Sequence, residues 1–159
     1  MSAYRHHAHL DAPLDVVWGL VGSPSHYPEW WPRVIEVRGK RFEEGDEFAQ
    51  VTKTPMGRME AHFLLERRDN LREIRMSCQR TGTYAEWLLT PAAGGTFVEL
   101  EMGMEPRRPS DRLVDRATGK SYFRRWASQS LDALRDASLA RLSPDVDGER
   151  VGRPDPGRE

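Results

Sequence analysis

The chain has 159 residues, with 24 Lys+Arg against 25 Asp+Glu and a formal charge of −1, which is the length of one domain. Its hydrophobic fraction of 38%, raised by 13 glycines toward the share usual in globular proteins, is enough for a sizeable core. The balanced charge and pI of about 6.5 argue against a nucleic-acid binder that works through a broad basic field. Cys78 is the only cysteine, so no intramolecular disulfide forms, which fits a reducing compartment. The first eleven residues carry three histidines and an arginine where a secretory signal needs an apolar run. The longest apolar stretch, around Val16–Val21, is far short of the roughly 20 residues that span a bilayer. These features predict a cytoplasmic protein with no integral membrane insertion.

The chain opens on a period-two segment in which Tyr4, His6, Ala8 and Leu10 share one face, the pattern of a half-buried strand. Asp11 and Pro13 then suit the start of a short helix whose apolar stripe is Val16, Val17, Leu20 and Val21, and Gly22-Ser23-Pro24 stops it. Tyr27-Pro28-Glu29-Trp30-Trp31-Pro32 follows as a short aromatic turn that its prolines keep from becoming a long helix. From Val34 to about Met104 the turn signals Gly45-Asp46, Met56-Gly57, Asp69-Asn70, Thr81-Gly82 and Gly94-Gly95 divide the chain into some six strands. Alternation places Ile74, Met76 and Cys78 on one face of their strand, Ala85, Trp87 and Leu89 on the next, and Val98, Leu100, Met102 and Met104 on the last. The strand Arg58–Glu66 has two readings. Either Met59, Ala61, Phe63 and Leu65 face inward, which the cost of burying unpaired charge favours, or Glu60, His62 and Leu64 do.

Ser110 can cap a helical stretch to about Leu142 that Gly119 kinks or divides. Beyond it, Phe123, Trp126, Ala127, Ser130, Leu134 and Ala137 form one dry stripe. Residues 143–159 have three prolines, three glycines, many charges and only two valines, a composition expected of a disordered tail after a domain at 1–142. A curled seven-stranded sheet with one long helix to cover its concave face implies an α+β fold.

Several pieces together resemble the START-like, or SRPBCC, helix-grip proteins, which include polyketide cyclases and dehydrases and lipid-transfer domains. They are Asp11-Ala12-Pro13-Leu14-Asp15-Val16-Val17-Trp18, the aromatic segment Tyr27–Pro32, Gly45-Asp46, Gly57-Arg58, and Gly94-Gly95-Thr96 after Trp87-Leu88-Leu89. The resemblance covers about residues 3–140. It implies a seven-stranded antiparallel sheet wrapped around the C-terminal helix, two short helices after the first strand, and an apolar cavity between sheet and helix.

The expected function is binding of a small hydrophobic molecule, a lipid, quinone or aromatic polyketide, by a monomer or homodimer with no cofactor. Tyr27, Trp31, Phe63, Met76, Trp87, Leu100, Phe123 and Trp126 are the candidate ligand contacts, with ordinary core packing as the competing account of the same side chains. The alternative is a polyketide aromatase/cyclase or dehydratase. His62 beside Glu60 is its candidate acid/base pair if that strand face turns inward, with His6 as a possible third group. The cavity arginine that the resemblance implies for cyclases aligns near Glu66, a departure that Arg67 or Arg68 repairs only through a register slip. His6, His7 and His9 supply at most two ligands to one ion, so no metal site is expected.

Overall fold

A computed structural model describes residues 2–143. The chain runs β1 (Ser2–Leu10), α1 (Leu14–Val21), a 3-10 turn (Pro24–His26), α2 (Tyr27–Trp30), β2 (Val34–Arg38), β3 (Glu47–Thr54), β4 (Gly57–Asp69), β5 (Glu73–Cys78), β6 (Thr83–Ala92) and β7 (Gly95–Met104). The described residues close with α3 (Pro109–Val114), a π-helical turn (Asp115–Gly119) and α4 (Lys120–Leu142). The predicted tail lies outside the described residues, apart from Ser143.

All seven strands form one antiparallel sheet in the order β1-β7-β6-β5-β4-β3-β2. Consecutive hairpins build it from β2 to β7, and β1 closes onto β7 with Leu10 opposite Thr96 and Ser2 opposite Met104. This is the expected helix-grip architecture. Pro13 caps α1 with its carbonyl, which accepts the N–H groups of Val16 and Val17, and Asp11 makes no cap. The predicted long helix is divided around Gly119: α3 and α4 flank a five-residue π turn, a geometry that sequence periodicity does not register.

The inward face of the sheet follows alternation. Phe63, Leu65, Ile74, Met76, Trp87, Val98 and Leu100 are buried on it, and Phe123, Trp126, Ala127, Leu131 and Leu134 of α4 cover it. Helix α4 packs over β1 and β7 and against α1. Gly82 holds φ +77°, and a Cβ there would stand 1.8 Å from the carbonyl oxygen of Glu105, so only glycine lets the β5–β6 turn approach the end of β7.

The outward face carries a polar lattice. Arg75 bonds Glu66 at 2.8 Å and Glu86 at 2.9 Å, and its guanidinium lies 4.3 Å above the Tyr84 ring. Tyr84 donates to Glu101 at 2.7 Å, and Arg5 meets the same carboxylate. Burial pushes the Glu66 carboxyl up, but bonds from Ser77 and Arg75 outweigh it and hold the group below the ordinary carboxylate range. Glu101 is lowered in the same way: burial opposes, and Tyr84 and Arg5 prevail. Burial first, then the bond to Glu101, raises the Tyr84 phenol.

Candidate functional site

Two regions lie between the sheet and α4, one closed and one open. The closed region is an aromatic plug. Tyr27 meets Trp31 edge to face with centroids 4.7 Å apart, Trp30 stacks on Trp31 at 5.7 Å, and Trp87 abuts both at 5.8 and 5.4 Å. Polar tips pin the plug in place: Tyr27 donates to the Val21 carbonyl at 2.6 Å, and Trp31 Nε1 to Ser130 Oγ on α4 at 2.7 Å. Burial drives the Tyr27 phenol far above its usual range, so it remains a neutral donor.

The open region is a cavity of about 390 Å³ beyond the plug, between the free end of the β3–β4 hairpin, the β5–β6 turn, the end of β7 and the segment from Asp115 to Trp126. Its greasy wall is made by Phe63, Phe123, Trp126, Met56, Met59 and Met104. Ala61, Cys78 and Tyr122 complete that wall, and hydroxyls of Thr52, Thr54, Thr81 and Thr83 interrupt it. Trp126 forms the boundary between the two regions: its ring lies 6.0 Å from Trp31, and its Nε1 donates to the Pro32 carbonyl at 2.8 Å.

The eight predicted ligand contacts therefore separate. Phe63, Phe123 and Trp126 line the cavity. Tyr27, Trp31, Met76, Trp87 and Leu100 do not; each is at most 3% exposed and sits in the closed core. The separation has a simple cause. A period-two pattern tells which face a side chain occupies, but not whether the opposite layer reaches it, and four large rings fill the end of the sheet where α2 descends.

The acid/base pair also falls outside. Phe63 and Leu65 point inward, so Glu60 and His62 lie on the exposed face, where Glu60 pairs with Arg38. Glu66 likewise points outward, into the Arg75 lattice. Arg67 pairs with Glu73, and Arg68 bonds the Gly22 carbonyl and lies over Trp18, away from the cavity. His6 is half-buried on the inward face beside Tyr4, whereas His7 and His9 are exposed. Among the described residues no group of three or more His, Cys, Asp or Glu is placed to hold a metal ion.

The sequence reading missed Asp115, a carboxylate 5% exposed that forms part of the cavity wall. It lies in the π turn, where no helical period points to it. Met104, Cys78 and Ala61 stood on the inward faces, but nothing in the sequence marked them as bordering empty space.

A concave antiparallel sheet gripping one terminal helix, with an apolar hollow at one end, defines a START-like helix-grip protein. The chain belongs to the family described as polyketide cyclase / dehydrase and lipid transport, whose model matches residues 1–138. Solved structures of the same fold include the Zhui aromatase/cyclase from Streptomyces sp. R1128, at 16% identity and TM-score 0.67, covering 89% of this chain and 95% of that one. The di-domain ARO/CYC StfQ from the steffimycin biosynthetic pathway is similar at 16% identity and TM-score 0.69, over 88% of this chain and 52% of that one. A START superfamily protein from Mycobacterium smegmatis is similar at 13% identity and TM-score 0.65, covering 89% of this chain and 97% of that one. At these identities the likeness is one of fold. No curated protein matches the sequence. Among the described residues no helix is long and apolar enough to cross a membrane.

Proposed function

We propose that this protein binds one small, largely apolar molecule in the cavity between the end of the sheet and the start of α4. The observation that carries the reading is the cavity itself: about 390 Å³ walled by aromatic rings and thioethers, at the small end of the roughly 300–1,000 Å³ of ligand pockets. A well-packed core of this size leaves few voids larger than a water molecule. Each Å² of apolar ligand surface removed from water contributes about 25 cal/mol, and methionines adapt to irregular shapes. Trp126 then forms the floor of the site, backed by the closed plug through Trp31. Titration with the fluorescent probe N-phenyl-1-naphthylamine is expected to saturate at one equivalent. Absence of saturable binding overturns the reading.

A second reading, cyclisation or dehydration of a polyketide-like substrate, draws on one observation. Asp115 puts a carboxylate on the cavity wall, where it can accept a proton from a bound carbonyl compound. In this reading the hollow folds the substrate and Asp115 moves the proton. Asp115→Asn would abolish turnover of a poly-β-ketone while leaving probe binding intact; equal turnover by both forms ends this reading.

A further inference from the structure

The apolar cavity has a charged neighbour. A groove of about 470 Å³ shares Thr54, Pro55 and Tyr122 with it and is lined by Arg33, Lys53 and Arg125. None of the described residues lining the groove is acidic, and Asp115 belongs to the cavity wall but not to the groove. The three cations form no ion pair among the described residues. The cavity wall is the reverse, since none of its described residues is Lys, Arg or His.

The groove is held rather than incidental. Arg33 has φ +72°, in the left-handed region that an arginine rarely occupies. Two bonds fix the backbone around it: Trp126 Nε1 holds the Pro32 carbonyl at 2.8 Å, and the Lys53 N–H holds the Arg33 carbonyl at 2.7 Å. Its guanidinium lies 4.8 Å over the Tyr122 ring, one of the residues common to both spaces, and reaches Gln129 at 3.4 Å. Strained backbone persists where surrounding structure over-determines it, and such positions cluster at ligand sites. Three like charges around one groove repel each other unless an anion joins them.

We propose that the ligand is an amphipathic anion, its apolar body in the cavity and its carboxylate, sulfonate or phosphate group in the groove between Arg33, Lys53 and Arg125. This rests on the cavity being the ligand site. Arg33 and Arg125 offer planar forks suited to an oxyanion, and Lys53 adds a point charge.

The test uses two probes with the same ring system on the full chain. 8-Anilinonaphthalene-1-sulfonate carries a sulfonate, and N-phenyl-1-naphthylamine does not. In low salt the triple variant Arg33→Gln, Lys53→Gln, Arg125→Gln is expected to bind the sulfonate about tenfold more weakly, as the loss of two or three partly screened contacts requires, and to bind the neutral probe within about twofold of wild type. A control with Arg72→Gln and Arg135→Gln should change neither. Equal losses for both probes, or no loss for the sulfonate, overturn the proposal while leaving the cavity reading intact; failure of the neutral probe to bind wild type removes both. Decyl phosphate should displace the sulfonate far better than inorganic phosphate does. If inorganic phosphate competes equally well, the groove is a free-anion site and the amphipathic ligand is wrong.

Discussion

Replacing Trp87 and replacing Phe123 by alanine should have unlike consequences, although both residues are buried aromatics on the inner side of the molecule. Trp87 is 0% exposed, and its ring meets Trp30 and Trp31 at 5.8 and 5.4 Å, so truncation opens a hole with packed walls on every side. Trp→Ala at such a site costs about 3–5 kcal/mol, of which the two ring contacts account for about 1–3. Phe123 is 4% exposed but borders the cavity, so part of its ring has no protein atoms opposite and fewer dispersion contacts to lose. Roughly half the tryptophan cost, about 2 kcal/mol, is expected for Phe123→Ala. With a urea slope of about 1.5 kcal/mol/M, the midpoint followed by far-UV circular dichroism should fall by about 2–3 M for Trp87→Ala and about 1.3 M for Phe123→Ala. Ligand binding should show the opposite ranking: the conservative Trp87→Phe keeps affinity for N-phenyl-1-naphthylamine, and Phe123→Ala weakens it. Equal midpoint losses, or a greater affinity loss in Trp87→Phe, would refute the division into plug and cavity.

Ala61→Phe should fill the hollow from its β4 wall, lowering probe affinity at least about tenfold by removing the apolar surface it would cover, with little change in the urea midpoint; unchanged affinity argues against the cavity as the binding site. Glu60→Ala and His62→Ala, both on the exposed face, are expected to leave probe binding at the wild-type level in the same titration. Acid should loosen the sheet. Glu66 and Glu101 have folded-state pKa values held below their unfolded ones, so their contribution is complete above the ordinary carboxylate range near about 4.3 and is lost as pH falls through the lowered values. The urea midpoint should therefore decline from about pH 5 downward, and a Ser77→Ala, Tyr84→Phe double variant, which removes a donor to each carboxylate, should show a shallower decline. A parallel pH profile in the two proteins would remove the lattice from the explanation.

Much of the fold was legible because its signals are local. Gly45, Gly57, Gly82 and Gly94 all take positive φ at the turns where the sequence placed hairpins, and alternation in β5, β6 and β7 assigned the buried faces correctly. The inward orientation of Phe63 followed from the cost of burying Glu60 instead. The site was legible only in part. Phe63, Phe123 and Trp126 touch the cavity, but Tyr27, Trp31 and Trp87 spend their aromatic surface on one another. Whether two opposing layers meet depends on where α2 and the π turn place their side chains, a long-range matter with no period in the sequence. Asp115 and the trio of Arg33, Lys53 and Arg125 escaped for the same reason, since residues far apart in the chain converge only once α4 lies across the sheet.

The methionines offer the most direct measurement of the cavity's role. Met56, Met59 and Met104 line the hollow, whereas Met76 and Met102 are buried in the closed core and serve as internal references. In a protein labelled with carbon-13 at the methionine methyl groups, N-phenyl-1-naphthylamine should move the first three resonances, saturating together at one equivalent, and leave the other two nearly still. Shifts centred on Met76 and Met102, or none that saturate, would contradict a guest held between sheet and helix.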